Sequence, residues 1–137
     1  MDARLPDLYN FMIYGIGVDV VAISRIRRAL KRWGERFTRR IFTDEEVAYC
    51  MRKRDPVPNF AVRFAAKEAF FKALGRGQRR GIRWKEVGVR NDGSGRPSLQ
   101  VNGDRQALMD AEGIARIHLA LSHDGDSAIA YVTLEKT

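Results

Sequence analysis

The sequence predicts an α+β fold in which a largely antiparallel sheet packs against a long central helix. Three observations carry this. An apolar, β-branched run follows the first eleven residues, two alternating segments close the chain, and a long alanine-rich helical stretch lies between them. Helices and strands mix without the strict strand–helix–strand alternation of a parallel sheet.

Residues 12–23, MIYGIGVDVVAI, read as a buried first strand because they are rich in β-branched and aromatic side chains. Ser24 is the expected N-cap of the helix that follows. Ile26, Ala29, Leu30 and Trp33 recur at helical spacing, and Gly34 can end it. Arg25, Arg28 and Arg32 fall three and four apart on the other face. Thr43 with Glu46 three residues on fits a capping box for a short helix to about residue 52. Pro56 and Pro58 mark a turn, and a long helix is expected over 59–74. Glycines and arginines make 75–81 a loop. Residues 86–90 and 97–101 read as two strands around NDGSG. Residues 104–112 form a helix ended by Gly113, and 115–122 with 127–134 a last hairpin around HDGD.

A length of 137 residues fits one domain, taken as 12–137. Residues 1–11 match no structural element and read as an extension, with Met12 as an alternative start. The first apolar run is broken by Asp19, so it is too short to span a bilayer, and its flanks make a poor secretory signal. Cys50 is the only cysteine, so it forms no internal disulfide, has no metal-site partner, and points to a reducing, cytoplasmic setting. The formal charge is +8 and it is clustered: residues 25–54 hold eleven Lys or Arg against four acids. Such a field favours an acidic partner.

Chemistry concentrates in a few places. Asp19 interrupts an apolar strand, where a carboxylate is costly unless it is paired, hydrogen-bonded or metal-bound. It either caps the next turn or serves a site. GIG before it is not a dinucleotide fingerprint. In FAAKEAFFKALG, Glu68 and Lys72 lie one turn apart on one face, while Lys67 is rotated by roughly 100°. A surface Glu–Lys pair is the plain reading. The alanines at 61, 65, 66, 69 and 73 argue instead for close packing that encloses Glu68. Two carboxylates from distant segments, with a lysine beside one, fit Mg²⁺, which takes one or two protein carboxylates and completes its shell with phosphate oxygens and water. Two anion cradles are candidates: GRGQRRG over 75–81, with Arg76, Arg79 and Arg80, and the strand end Leu121-Ser122-His123-Asp124. His118 alternates with apolar neighbours and reads as packed or edge-exposed. His123, beside a turn, is the better functional candidate.

GIGVDVVAISRI, FTDEEVAYC, RFAAKEAFFKALGRG and LSHDGDSAIAYV, in this order and spacing, resemble the holo-acyl-carrier-protein synthases, the small bacterial-type 4′-phosphopantetheinyl transferases. The resemblance runs from residue 12 to about 135. It implies the fold of that family and transfer of 4′-phosphopantetheine from coenzyme A to a serine of apo-acyl carrier protein, in support of fatty-acid biosynthesis. It further implies Asp19 and Glu68 as Mg²⁺ ligands and Lys72 on the pyrophosphate. Arg63, Gly75, Gly77, Ser122 and His123 would line the nucleotide site. Arg25, Arg32, Arg36 and Arg40 would meet the acidic carrier, and the family's homotrimer would place sites between subunits. Lys67 is left to neutralise Glu68 or touch ligand. The alternative is a basic nucleic-acid-binding module; against it, Trp33, Phe60, Phe64 and Phe71 fall at core-like spacings rather than as stacking platforms.

Overall fold

The computed structural model describes residues 11–75 and 83–137. Its elements are β1 (Met12–Ala22), α1 (Ile23–Trp33), α2 (Glu35–Ile41), α3 (Asp44–Met51), α4 (Val57–Leu74), a 3-10 turn (Trp84–Glu86), β2 (Val87–Asn91), β3 (Pro97–Val101), α5 (Gly103–Glu112), β4 (Ile114–Asp124) and β5 (Ser127–Lys136). β1, β5 and β4 form an antiparallel sheet in that order, and β2 pairs with β3 as a separate hairpin. The α+β expectation, with an antiparallel sheet against a long helix, holds.

The sheet is two-faced because β5 alternates. Ala128, Ala130, Val132 and Leu134 are fully buried against α4. Ile129 and Tyr131 point the other way, beside Ile16, Val18 and Val20 of β1, and all five are exposed. α4 is buried on every side, as expected for a helix apolar all round. Phe64 stacks on Trp84 with ring centroids 5.4 Å apart, and Phe60 meets Phe42 at 4.8 Å. The β2–β3 turn is set by Asp92, whose Oδ1 accepts from the backbone N–H groups of Ser94 and Arg96 and from the Ser94 hydroxyl. Among the described residues, no helix is long and apolar enough to cross a membrane.

Four local expectations are corrected. The first strand is not buried: Met12, Ile13, Ile16, Val18 and Val20 are exposed, because only one face of the sheet packs on α4. Ser24 is not the N-cap of α1: the helix starts at Ile23, with Ala22 at the cap position, and the capping carboxylate is Asp126 from the β4–β5 turn. Residues 35–41 form a further helix, α2, joined to α1 through Gly34 at φ 54°. Trp33 is not in the core; it is 47% exposed. The Thr43–Glu46 capping box is present as expected, with both reciprocal hydrogen bonds.

Candidate active site

The site begins with two glycines. β1 crosses α4 so closely that a Cβ on Gly15 would lie 1.9 Å from the Ala73 carbonyl oxygen, and one on Gly17 would lie 1.9 Å from that of Ala69. GIG is therefore a contact surface: only glycine lets strand and helix backbones meet here. The small side chains of Ala69 and Ala73 are the helix's half of this arrangement. Two residues along β1 correspond to four along α4, a match of roughly 6 Å steps in each element. By the same step Asp19 falls near the level of Ala65.

Asp19 is only 15% exposed at its side chain, and its Oδ1 accepts a hydrogen bond from Lys72 Nζ at 2.9 Å. Lys72 also donates to the Val18 carbonyl at 3.1 Å. Glu68, one turn before Lys72, is 9% exposed. Asp19 and Lys72 thus meet where β1 passes α4, with Glu68 one turn before Lys72 on the same helix. The donor set fits a hard divalent cation that keeps part of its shell for water and phosphate: two carboxylates from rigid elements, with a cation alongside. Among the described residues no group of three or more His, Cys, Asp or Glu is gathered for a metal.

Lys67 does neither job expected of it. It is fully buried and donates from Nζ to Glu46 Oε1 at 2.6 Å, and also to the carbonyls of Trp84 and Val87. Burial pushes its ammonium below the ordinary lysine range, against the pull of Glu46. Glu46 uses its other oxygen to accept the Val89 N–H at 3.0 Å. Lys67 is part of the framework behind the site, turned away from Glu68. Cys50 is fully buried, and desolvation raises its thiol to about 11, so it stays protonated and inert.

Arg63 is 2% exposed. Its Nη2 donates to Asn91 Oδ1 at 2.6 Å, its guanidinium lies 4.2 Å from the Tyr49 ring centroid, and its Nε has no hydrogen-bond partner. Lys53 and Arg52 approach the same ring at 4.6 and 5.6 Å. This cationic cluster was not legible in the sequence; the one sign was the RKR run placed after Tyr49 at helix spacing. Gly75 ends α4 with φ 106°, a backbone that favours glycine. Gly77, Arg76, Arg79 and Arg80 lie outside the described residues.

Ser122 and His123 sit at the end of β4 and project to opposite faces. His123 pairs with Ala128, which pairs with Val21, so it shares the α4-facing side with Asp19, two strands or about 10 Å across. Ser122 lies on the outer face beside Ile129. His118 is edge-exposed, in contact with the Glu135 carboxylate.

The basic face of α1 and α2 is built around Trp33. Arg32 and Arg36 lie 4.9 and 6.0 Å from its ring centroid, and Trp33, Arg36, Phe37 and Arg40 line a cavity of about 370 Å³. Arg25 is nearer the site, 5.9 Å from the ring of Phe64, which is one turn before Glu68. The apolar part of this face escaped the sequence reading because Trp33 fell at a core spacing.

Residues 15–132 match the family model of the 4′-phosphopantetheinyl transferase superfamily. The chain belongs to that superfamily. A holo-[acyl-carrier-protein] synthase of Syntrophotalea carbinolica is 48% identical over 121 residues, covering 88% of this chain and 94% of the relative. The crystal structure of holo-[acyl-carrier-protein] synthase from Neisseria meningitidis superposes with a TM-score of 0.84 at 39% identity, covering 91% of this chain and all of that one. The Bacillus anthracis synthase, solved in complex with CoA (3′,5′-ADP), superposes with a TM-score of 0.75 at 33% identity over 92% of this chain and 99% of that one. Family membership agrees with the resemblance read from the four sequence stretches.

Proposed function

We propose that this chain transfers the 4′-phosphopantetheinyl group from coenzyme A to a serine hydroxyl of apo-acyl carrier protein, releasing adenosine 3′,5′-bisphosphate, as a cytoplasmic enzyme of fatty-acid biosynthesis. The observation that carries the reading is the meeting of Asp19 and Lys72 beside Glu68 on a backbone contact, in a chain of this family. Asp19 and Glu68 would hold Mg²⁺, which when bound stabilises charge on the attacked phosphorus and on the leaving phosphate. Lys72 has 43% of its side chain exposed, so it can leave Asp19 for a pyrophosphate oxygen. The serine Oγ–P bond forms as the P–O bond to the nucleotide breaks, and the serine proton must go to a base. Glu68 is our candidate among the chain's own groups.

Arg63, with Nε unpartnered and Lys53 and Arg52 beside it, supports an anionic end of coenzyme A on that side of α4. His123 and Gly75 belong to the same proposed nucleotide site, with Ser122 and Gly77. Arg25, Arg32, Arg36 and Arg40 are the proposed carrier contacts, and the groove at Trp33 and Phe37 supports an acidic partner that also offers an apolar side chain. The exposed apolar sheet face of Ile16, Val18, Val20, Ile129 and Tyr131 supports assembly, proposed as a homotrimer with sites between subunits.

The test is mass spectrometry of apo-acyl carrier protein incubated with this protein, coenzyme A and Mg²⁺, with an EDTA control. The expected result is a gain of one phosphopantetheine, lost with EDTA. Glu68→Gln and Asp19→Asn should each collapse turnover and leave carrier binding intact; near-normal turnover of either at low Mg²⁺ removes it from the metal site. One observation favours a second reading. Trp33, exposed between Arg32 and Arg36, resembles a base-stacking platform, so RNA binding that the carrier does not compete with would favour a nucleic-acid module.

A further inference from the structure

α1 carries the arginines of the basic face, yet its own sequence does not cap it. Ala22 stands at the N-cap position and offers no acceptor. The free N–H groups at the start of the helix are met from the far end of the chain, by Asp126. Ile23 N–H donates to the Asp126 carbonyl at 2.7 Å, Ser24 N–H to Asp126 Oδ1 at 2.8 Å, and the Ser24 hydroxyl to Asp126 Oδ2 at 2.7 Å. Asp126 stands in the two-residue turn between β4 and β5, after Gly125 at φ 55°. A local Ser or Asp at position 22 would accept the Ser24 N–H without any help from the hairpin. A remote cap does something more: beyond the β1–β5 pairing that ends at Ala22 and Ser127, it anchors the first turn of the helix to the hairpin by a side chain. That hairpin ends in His123, and the helix turn it holds contains Arg25.

We propose that Asp126 is a positioning residue for carrier docking, tying the first turn of α1, and so Arg25 and the basic face behind it, to the strand end that carries His123. The inference rests on the transferase reading above. It gives HDGD a second role: Gly125 shapes the turn, and Asp126 reaches across to the helix. The Asp126 carboxyl is held below the usual range, first by the Ser24 hydroxyl and then by its N–H, with Arg28 and Arg27 adding to it, so the cap is charged at neutral pH.

The experiment compares wild type, Asp126→Ala, Asp126→Asn and the double variant Asp126→Ala with Ala22→Asp, in steady-state transfer and thermal unfolding. The double variant restores a cap from within the helix but not the side-chain link to the hairpin, while the bond from Ile23 N–H to the backbone carbonyl of residue 126 is kept in every variant. Asp126→Ala should raise KM for the carrier about tenfold, with kcat and KM for coenzyme A within about twofold, as for a lost docking contact. Asp126→Asn, which keeps an acceptor for the Ser24 N–H, should stay close to wild type in carrier KM. The double variant should regain Tm and keep the raised carrier KM. If the local cap restores carrier KM as well as Tm, or if Asp126→Ala lowers only Tm, the positioning role is overturned. Wild type that transfers nothing under these conditions overturns the transferase reading, and this inference with it.

Discussion

Replacing Gly17 by alanine tests the link between packing and chemistry most directly. The added Cβ would stand 1.9 Å from the Ala69 carbonyl oxygen and 2.8 Å from the Ala73 nitrogen. Reaching even a tight 3.0 Å contact requires a shift of about 1.1 Å, the difference between 3.0 and 1.9 Å. Both offending atoms are backbone, so no trimming of a helix side chain relieves them. The strand must lift from α4, and Asp19 lies two residues further along it. Overpacking of this kind costs about 1–3 kcal/mol. For a chain of 137 residues that is a fall in Tm of roughly 3–10 °C. A misplacement near 1 Å at a reacting centre costs about 100-fold in rate. Gly15→Ala is the matched control, since it meets the Ala73 carbonyl oxygen at the same 1.9 Å but lies four residues from Asp19. Thermal unfolding should give similar losses for the two variants, and the transfer assay a much larger loss for Gly17→Ala. Equal losses of turnover, or an unchanged Tm for Gly17→Ala, would refute the argument that this contact aims Asp19.

Lys67→Met should lower stability by about 3–5 kcal/mol in urea unfolding, because it leaves the Glu46 carboxylate buried without its counter-ion. Cys50 should react with a thiol reagent at pH 8 only at the rate of unfolding, given full burial and a pKa raised to about 11. From about pH 9, where a free thiol ionises, up to about 11 the unfolded chain binds fewer protons than the native one at this position; the Cys50 contribution to stability is therefore lost as pH rises through that window, readable as a falling urea midpoint. Arg36→Ala and Arg40→Ala should each raise carrier KM and flatten its dependence on salt, with KM for coenzyme A unchanged, as steady-state kinetics at two ionic strengths would report.

The elements whose side chains follow a strong period were legible in the sequence. β1 and α4 were placed within two residues because their apolar runs are long, and the capping box at Thr43 because its two partners are three residues apart. What escaped depends on residues distant in the chain. Ser24 looked like a cap because serine usually is one; the actual acceptor, Asp126, had no local sign. Lys67 reads as neutralising Glu68 or touching ligand; its actual partner, Glu46, lies 21 residues away and doubles as the capping-box carboxylate, so nothing local marks the pair. α2 was missed because Gly34 reads as an end, and the arginine-rich residues after it show only Phe37 and Ile41 as apolar anchors. At the site, family resemblance and residue chemistry single out Asp19, Glu68 and Lys72 but not the direct ion pair of Asp19 with Lys72. The reason it can occur, two glycines laid on a helix backbone, required the structure.

Glu46 has a consequence for how the molecule opens. Its two oxygens are shared among the start of α3, the middle of α4 and the N–H of Val89 in β2, the first contact part-buried and the other two fully buried. Detaching any one of these three elements alone would strand a charge or a backbone donor in an apolar interior. Partial opening there is therefore about as unfavourable as complete unfolding, and the three should come apart as one cooperative unit. In hydrogen exchange, the Val89 amide should be among the slowest in the protein, released only with the whole fold. The flank of α4 that bears Lys67 is thereby protected from local breathing, while the Lys72 side chain, 43% exposed, keeps its freedom to move.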